Sequence, residues 1–206
     1  MKTIYLIRHG ETQANRDGLF RGRGEVPLSA AGLKQAGELR ALFAAQPVQR
    51  LFSSPLQRAL QTAAACFPGR TVESHELVNN IDLGSWSGRR KKEIAGEEPE
   101  LWRQWLEDPE HMTFPGGESL AALKGRARAF NRLMAGLGEE SIAVVSHRSV
   151  LKALLAEALG LGEKWFWRFH LDNASVSVLL HDATRGFVLA KLNRTDHLSA
   201  TVFEWD

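Results

Sequence analysis

Short β-branched apolar runs alternate along the chain with longer segments whose apolar residues recur every three or four positions, the pattern of a sheet covered by helices on both faces. The runs predict strands over Thr3 to Arg8, Arg50 to Ser53, Thr71 to Ser74, Ser141 to Ser146, Ala174 to Leu180 and Phe187 to Leu192. The helical period predicts helices over Ala30 to Ala45, Pro55 to Cys66, Leu101 to Leu106, Ser119 to Leu137 and Ser149 to Leu159. Ser54 is the expected N-cap before Pro55 at the first helical position, and Gly160 closes the last helix. The expected class is α/β. Residues 84–117 break the pattern with Trp86, Trp102, Trp105, a basic run from Arg89 to Lys92 and Pro-Gly-Gly at 115–117, and predict an insertion lying over the sheet edge. No repeat, low-complexity tract or linker divides the rest, so 1–206 reads as a single domain with that insertion.

Composition narrows this picture. A chain of 206 residues, 44% of them hydrophobic, can bury a core without staples. With 26 Lys+Arg against 24 Asp+Glu, a formal charge of +2 argues against a protein built to neutralise a nucleic-acid backbone. Cys66 stands alone and can form neither an intramolecular disulfide nor a cysteine-based zinc site. The apolar start from Met1 is soon interrupted by Arg8 and His9, and no apolar run approaches the ~20 residues of a membrane span. A cytoplasmic protein with no membrane partner is the expectation.

The chemistry gathers at strand ends. Tyr5-Leu6-Ile7-Arg8-His9-Gly10 puts an Arg-His pair where a buried strand should stop, and Val144-Val145-Ser146-His147 repeats the design before a helix. A third strand, ending at Ser53, leads into a helix whose first turn presents Arg58. The carboxyl ends of strands are where open α/β sheets bind ligands. If these strands are neighbours, two imidazoles and two guanidiniums converge, and the natural guest is a phosphate. Flanking arginines disfavour the imidazolium, so His9 should be neutral and nucleophilic near pH 7. The arginines would then neutralise charge without a metal, and His147 would stabilise the equatorial oxygens.

These residues resemble a known family. Leu-Ile-Arg-His-Gly-Glu-Thr at 6–12 with Asn15, the Pro-Leu-Ser run at 27–36, Ser-Ser-Pro-Leu-Gln-Arg-Ala at 53–59, Pro-Gly-Gly-Glu-Ser at 115–119 and Val-Ser-His at 145–147 resemble the histidine phosphatase superfamily, phosphoglycerate mutase-like branch. Ile-Asp-Leu-Gly-Ser-Trp-Ser-Gly at 81–88, Trp-Leu-Glu-Asp-Pro at 105–109 and Asp-Asn-Ala-Ser-Val at 172–176 look most like its metal-independent phosphoserine phosphatases, with ribazole phosphate phosphatases close behind. The resemblance implies a three-layer α/β/α sandwich with a small helical cap and a small phosphorylated metabolite as substrate. It implies a phosphohistidine on His9, a phosphate pocket of Arg8, Arg58 and His147, lining by Asn15, Arg21 and Gly22, no cofactor, and a homodimer.

One departure bears on mechanism. The family carries a glutamate before Ile-Asp-x-Gly that protonates the leaving oxygen, and here Asn80 stands in its place. An amide cannot do acid/base work. Three explanations stay open: Asp82 or Glu76 substitutes, the substrate has a better leaving group or brings its own acid, or the chain mostly binds a phosphate ligand. Mutase-type phosphotransfer is the alternative within the enzyme class. Arg148 replaces a glycine common among relatives and could add a cation at the pocket mouth, while Leu83 stands where the phosphoserine enzymes carry a histidine. Glu11 and Thr12 should orient the loop after His9, Glu118 and Ser119 should cap the next helix, and Arg89 to Lys92 reads as a solvated face. Trp165, Phe166, Trp167 and Phe169 read as packing or a dimer face. His111, His170, His181 and His197 lack metal-ligand spacing, although His197 could still reach the pocket.

Overall fold

The computed structural model describes residues 1–201. The chain runs from β1 (Lys2–Arg8) through α1 (Gln13–Arg16), α2 (Ala30–Phe43), β2 (Arg50–Ser53), α3 (Gln57–Cys66) and β3 (Glu73–Ser74). It continues through α4 (Lys91–Glu97), α5 (Pro99–Glu107), α6 (Leu120–Gly136), β4 (Ser141–Ser146) and α7 (Arg148–Ala158) to the hairpin of β5 (Val176–Asp182) and β6 (Gly186–Arg194). The strands form one six-stranded sheet in the order β3-β2-β4-β1-β5-β6. β1 to β4 run parallel, and β5 and β6 add an antiparallel edge.

Period-two alternation divides the sheet's side chains between two cores. Ile4, Leu6, Phe52, Ile142 and Val144 pack with Leu123 and Phe130 of α6 and Leu151 and Leu154 of α7. Ile7, Leu51, Ala143 and Val145 pack on the other face with Leu39 and Phe43 of α2 and Ala59 and Ala63 of α3. This is the three-layer α/β/α arrangement. Each fully buried aliphatic or aromatic side chain contributes about 1.5–3 kcal/mol, so the central strands, apolar on both faces, anchor the fold.

Three local expectations change. α3 starts at Gln57 with Leu56 as N-cap, not at Pro55 after Ser54. The Ser54 hydroxyl is instead 2.7 Å from a ring nitrogen of His147. β3 keeps only two residues of the expected strand at 71–74. Residues 84–117 lie above the carboxyl ends of the central strands rather than over the sheet edge: Lys91 and Trp105 share a cavity with His9 and His147. Aromatic packing holds the segment there, with Trp86 and Trp105 against Phe20, and Trp105 against Phe166 and Trp167. A bridge between Leu19 and Arg90 ties it to the segment after α1. As expected, the Ser119 hydroxyl caps α6 by accepting from the Ala122 N–H. Trp165, Phe166 and Phe169 are buried within the chain. Among the described residues no helix is long and apolar enough to cross a membrane.

Candidate active site

The register between β1 and β4 sets Arg8 opposite Ser146, so His9 and His147 leave the sheet side by side. The His9 N–H donates to the Ser146 carbonyl at 3.0 Å, and the imidazole centroids are 5.1 Å apart. β2 ends on the other side of β4, where the Ser54 N–H donates to the Val145 carbonyl, and Arg58 follows in the first turn of α3. The three strand ends expected to converge do so because β4 returns between β2 and β1.

Burying guanidiniums is costly unless they are held. Arg8 Nη1 donates to the Leu171 carbonyl at 2.7 Å. Arg58 donates through Nη1 to Gly24 at 2.8 Å and through Nη2 to Gly22 at 2.9 Å, and so fastens the loop that carries Arg21. Gly22 has φ +50°, and a Cβ there would lie 2.4 Å from Ser87 Oγ, so the loop requires glycine.

Neighbouring groups fix the tautomer of each histidine. His9 Nδ1 lies 2.7 Å from the Gly10 carbonyl, which can only accept; Nδ1 therefore carries the proton and Nε2 the lone pair. Arg58 Nε, which can only donate, lies 3.3 Å from His147 Nδ1, so His147 carries its proton on Nε2 and gives it to Ser54 Oγ. Burial, reinforced by Arg58, Arg8 and Arg21, holds His9 well below the usual imidazole range. Burial followed by Arg58 does the same to His147. Burial, with Arg21 adding repulsion, pulls Arg58 down to about 9, where it is still cationic at neutral pH.

The cavity above the imidazoles has cationic and apolar walls. Arg21, Lys91 and Arg148 supply charge; Phe20, Trp105, Phe166, Leu19, Ile81 and Leu83 supply hydrophobic surface; Gly22, Asn80 and Ser149 complete it. Arg8 and Arg58 are fully buried, close enough to His9 for their charge to act on it. Among the described residues no carboxylate lines the cavity.

Several expected site residues have local partners. The Asn15 side-chain oxygen accepts from the Thr12 N–H at 2.9 Å and hydroxyl at 2.7 Å, closing the start of α1. Asp82 Oδ1 accepts from the Gly84 N–H, and Glu76, exposed, accepts from the Asn79 side chain, so neither carboxylate is brought to the cavity. Asn80 does line it, with Nδ2 donating to the Gly22 carbonyl at 2.7 Å. His197 stops at the Ala174 carbonyl. Glu11, as expected, braces the loop after His9 by accepting from the Ser29 hydroxyl and pairing with Arg16. Sequence reasoning missed Asn173, whose Nδ2 joins the Ala174 N–H in holding the His9 carbonyl, both at 3.1 Å. The available signal was an Asp-Asn pair just before a strand that neighbours β1. Among the described residues no group of three or more His, Cys, Asp or Glu could hold a metal.

Two buried neutral histidines at adjacent strand ends, backed by two arginines, define a phosphate-handling site in an α/β/α sandwich. The chain belongs to the histidine phosphatase superfamily (branch 1), whose family model matches residues 4–195. It is 35% identical over 201 residues to phosphoserine phosphatase 1 of Hydrogenobacter thermophilus, covering 96% of this chain and 95% of that one. It is 32% identical over 192 residues to the adenosylcobalamin/alpha-ribazole phosphatase of Salmonella typhimurium, covering 92% of this chain and 94% of that one. Among solved structures, a putative alpha-ribazole-5'-P phosphatase from Escherichia coli superposes with a TM-score of 0.86 at 32% identity, covering 94% of this chain and 96% of that one. The chain is thus a phosphatase, a phosphomonoester hydrolase of that superfamily.

Proposed function

We propose that this protein hydrolyses a small phosphorylated metabolite through a phosphohistidine on His9, without a metal or other cofactor. The observation that carries this reading is the His9 tautomer: its proton is committed to the Gly10 carbonyl, and the lone pair is left on Nε2. Nε2 attacks phosphorus and the bond to the leaving oxygen breaks. Water then attacks the phosphoryl group, the phosphorus–nitrogen bond breaks, and its electron pair returns to Nε2. The Asn173 and Ala174 donors fix the His9 backbone through both steps. The field of Arg8, Arg58, Arg21 and Arg148 offsets the phosphate charge, a role that preorganised cations fill in phosphoryl transfer generally. The neutral His147 ring stands beside His9, with its Nε2–H directed to Ser54 Oγ.

The names of the relatives support a phosphoserine-like or ribazole phosphate-like substrate. Residues 84–117 serve in this reading as a cap on a single domain, the resemblance supports a homodimer, and the sequence features support a cytoplasmic place. The test is turnover of p-nitrophenyl phosphate, phosphoserine and ribazole phosphate in EDTA by the wild type and His9→Ala. Wild-type hydrolysis that His9→Ala abolishes supports the reading; unchanged turnover in the variant, or its disappearance from the wild type in EDTA, refutes it.

A further inference from the structure

We infer that Asn80 selects the alcohol part of the substrate: its Oδ1 accepts a hydrogen bond from a hydroxyl or ammonium group carried close to the phosphate ester. Phosphates of alcohols with such a donor are then preferred, which rests on the phosphomonoesterase reading above and narrows its substrate class. Polar groups in a largely apolar pocket are few, and each one fixes how a ligand lies. Asn80 is such a group, 8% exposed and set in the cavity wall with Gly22, Ile81 and Leu83.

The orientation of the amide follows from its partners. An asparagine presents a backbone N–H, a backbone carbonyl, a side-chain NH2 and Oδ1. The Asn80 N–H donates to Asn79 Oδ1 at 2.8 Å, and its carbonyl accepts from Arg23 Nε at 3.1 Å. Its Nδ2 donates at 2.7 Å to the Gly22 carbonyl, which can only accept, so the amide cannot be turned over. Among the described residues Oδ1 has no partner, yet it is not sealed off, so it is open to what the cavity holds.

Asn80 is held through both its side chain and its backbone. The Gly22 carbonyl that receives Nδ2 also receives Arg58 Nη2 at 2.9 Å, which ties the amide to the loop that Arg58 fastens. Arg23, which holds the Asn80 carbonyl, lies 3.6 Å from Glu118. Glu118 in turn accepts from Arg126 at 2.7 Å and 3.1 Å and from the Asp82 N–H at 3.3 Å. This network keeps Oδ1 from turning away, and a preorganised acceptor discriminates where a mobile one does not. An acceptor repels the phosphate's own anionic oxygens, so the phosphoryl group lies towards His9 and Oδ1 faces the alcohol. An alcohol that lacks the donor leaves Oδ1 unpaired when it displaces water from the cavity.

The experiment compares kcat/KM within two pairs of esters that differ by the donor: phosphoserine against its deamino analogue, and glycerol phosphate against propyl phosphate. Both pairs are run with the wild type, Asn80→Leu and Arg23→Gln, and phosphate on His9 is trapped from p-nitrophenyl phosphate. The wild type should prefer the donor-bearing ester by at least about fivefold in one pair or both, and the pair that responds tells an ammonium from a hydroxyl. The preference should shrink about fivefold or more in Asn80→Leu and part-way in Arg23→Gln, because the intrinsic reactivity of each pair is common to all three proteins. A smaller wild-type preference in both pairs, a preference that survives unchanged in the variants, or an equal loss on both members of a pair overturns the inference. Should Asn80→Leu not fold, Arg23→Gln decides alone. If His9 is labelled but the preference is absent, only this inference fails; if His9 is never labelled, the reading beneath it fails.

Discussion

Two histidines buried in their neutral form should make the protein unusually sensitive to mild acid. Below the ordinary imidazole value of about 6.5 the unfolded chain takes up a proton at each histidine, while folded His9 and His147, held well below that value, do not. The unfolded state then binds more protons, so this contribution to stability is fully present above pH 6.5 and is lost as pH falls towards the folded values. Each such histidine costs about 1.4 kcal/mol per pH unit well below 6.5. Integrated from pH 7 to 5.5, the loss is about 1.2 kcal/mol for each and about 2.5 kcal/mol for the pair. The assay is urea unfolding at both pH values for the wild type and for His9→Gln/His147→Gln, whose other titrating groups are the same and cancel. The wild type should lose about 2.5 kcal/mol more than the double variant, and each single variant should recover about half of that. Equal losses in wild type and double variant would show that the histidines titrate in the folded protein, and the argument for a neutral nucleophile would fall.

Other expectations are simpler. Arg58→Lys cannot keep the fork that reaches Gly22, Gly24 and His147, so kcat/KM should fall by about 10²-fold or more and the His147 titration followed by NMR should move up; a change within about threefold contradicts the geometry. Gly22→Ala meets both a positive φ and Ser87 Oγ, and should cost about 1–3 kcal/mol in denaturant unfolding, whereas a neutral result would mean the loop tolerates a side chain. Burial pushes the Cys66 thiol up to about 12, so it should resist a thiol reagent at pH 8 until the protein is unfolded; rapid labelling of the native protein would be the contrary outcome.

The fold was legible where local pattern and burial agree. β2 and β4 have the expected limits because each is a short apolar run stopped by residues committed to the site. α4 was missed because Lys91-Lys92-Glu93 reads as a solvated face and only Ile94 of that helix is buried; its position depends on the aromatic cluster around Trp86 and Phe20. α3 begins late because Ser54 is drawn to His147, a partner 93 residues away that no local propensity encodes. The site was legible in part for the same reason. Arg8, His9, Arg58 and His147 lie at predicted strand ends and helix starts, so topology alone could bring them together. Asn15 sits in the short helix α1 and Glu76 and Asp82 in the connection after β3, and their side chains meet Thr12, Asn79 and the Gly84 N–H, contacts of short range that say nothing of the sheet. Phe166 and Trp105, read as packing or as part of an insertion, also form the cavity wall, a second role visible only once the segment is placed.

The central claim is covalent chemistry on His9, and one measurement reaches it directly. The wild type would be mixed with an aryl phosphate carrying labelled phosphorus, quenched in alkali within a single turnover, and digested for peptide mapping. The account predicts acid-labile, alkali-stable phosphate on the peptide containing His9, formed and consumed at rates that support turnover. Turnover with no label on the protein, or label on any residue other than His9, would contradict it.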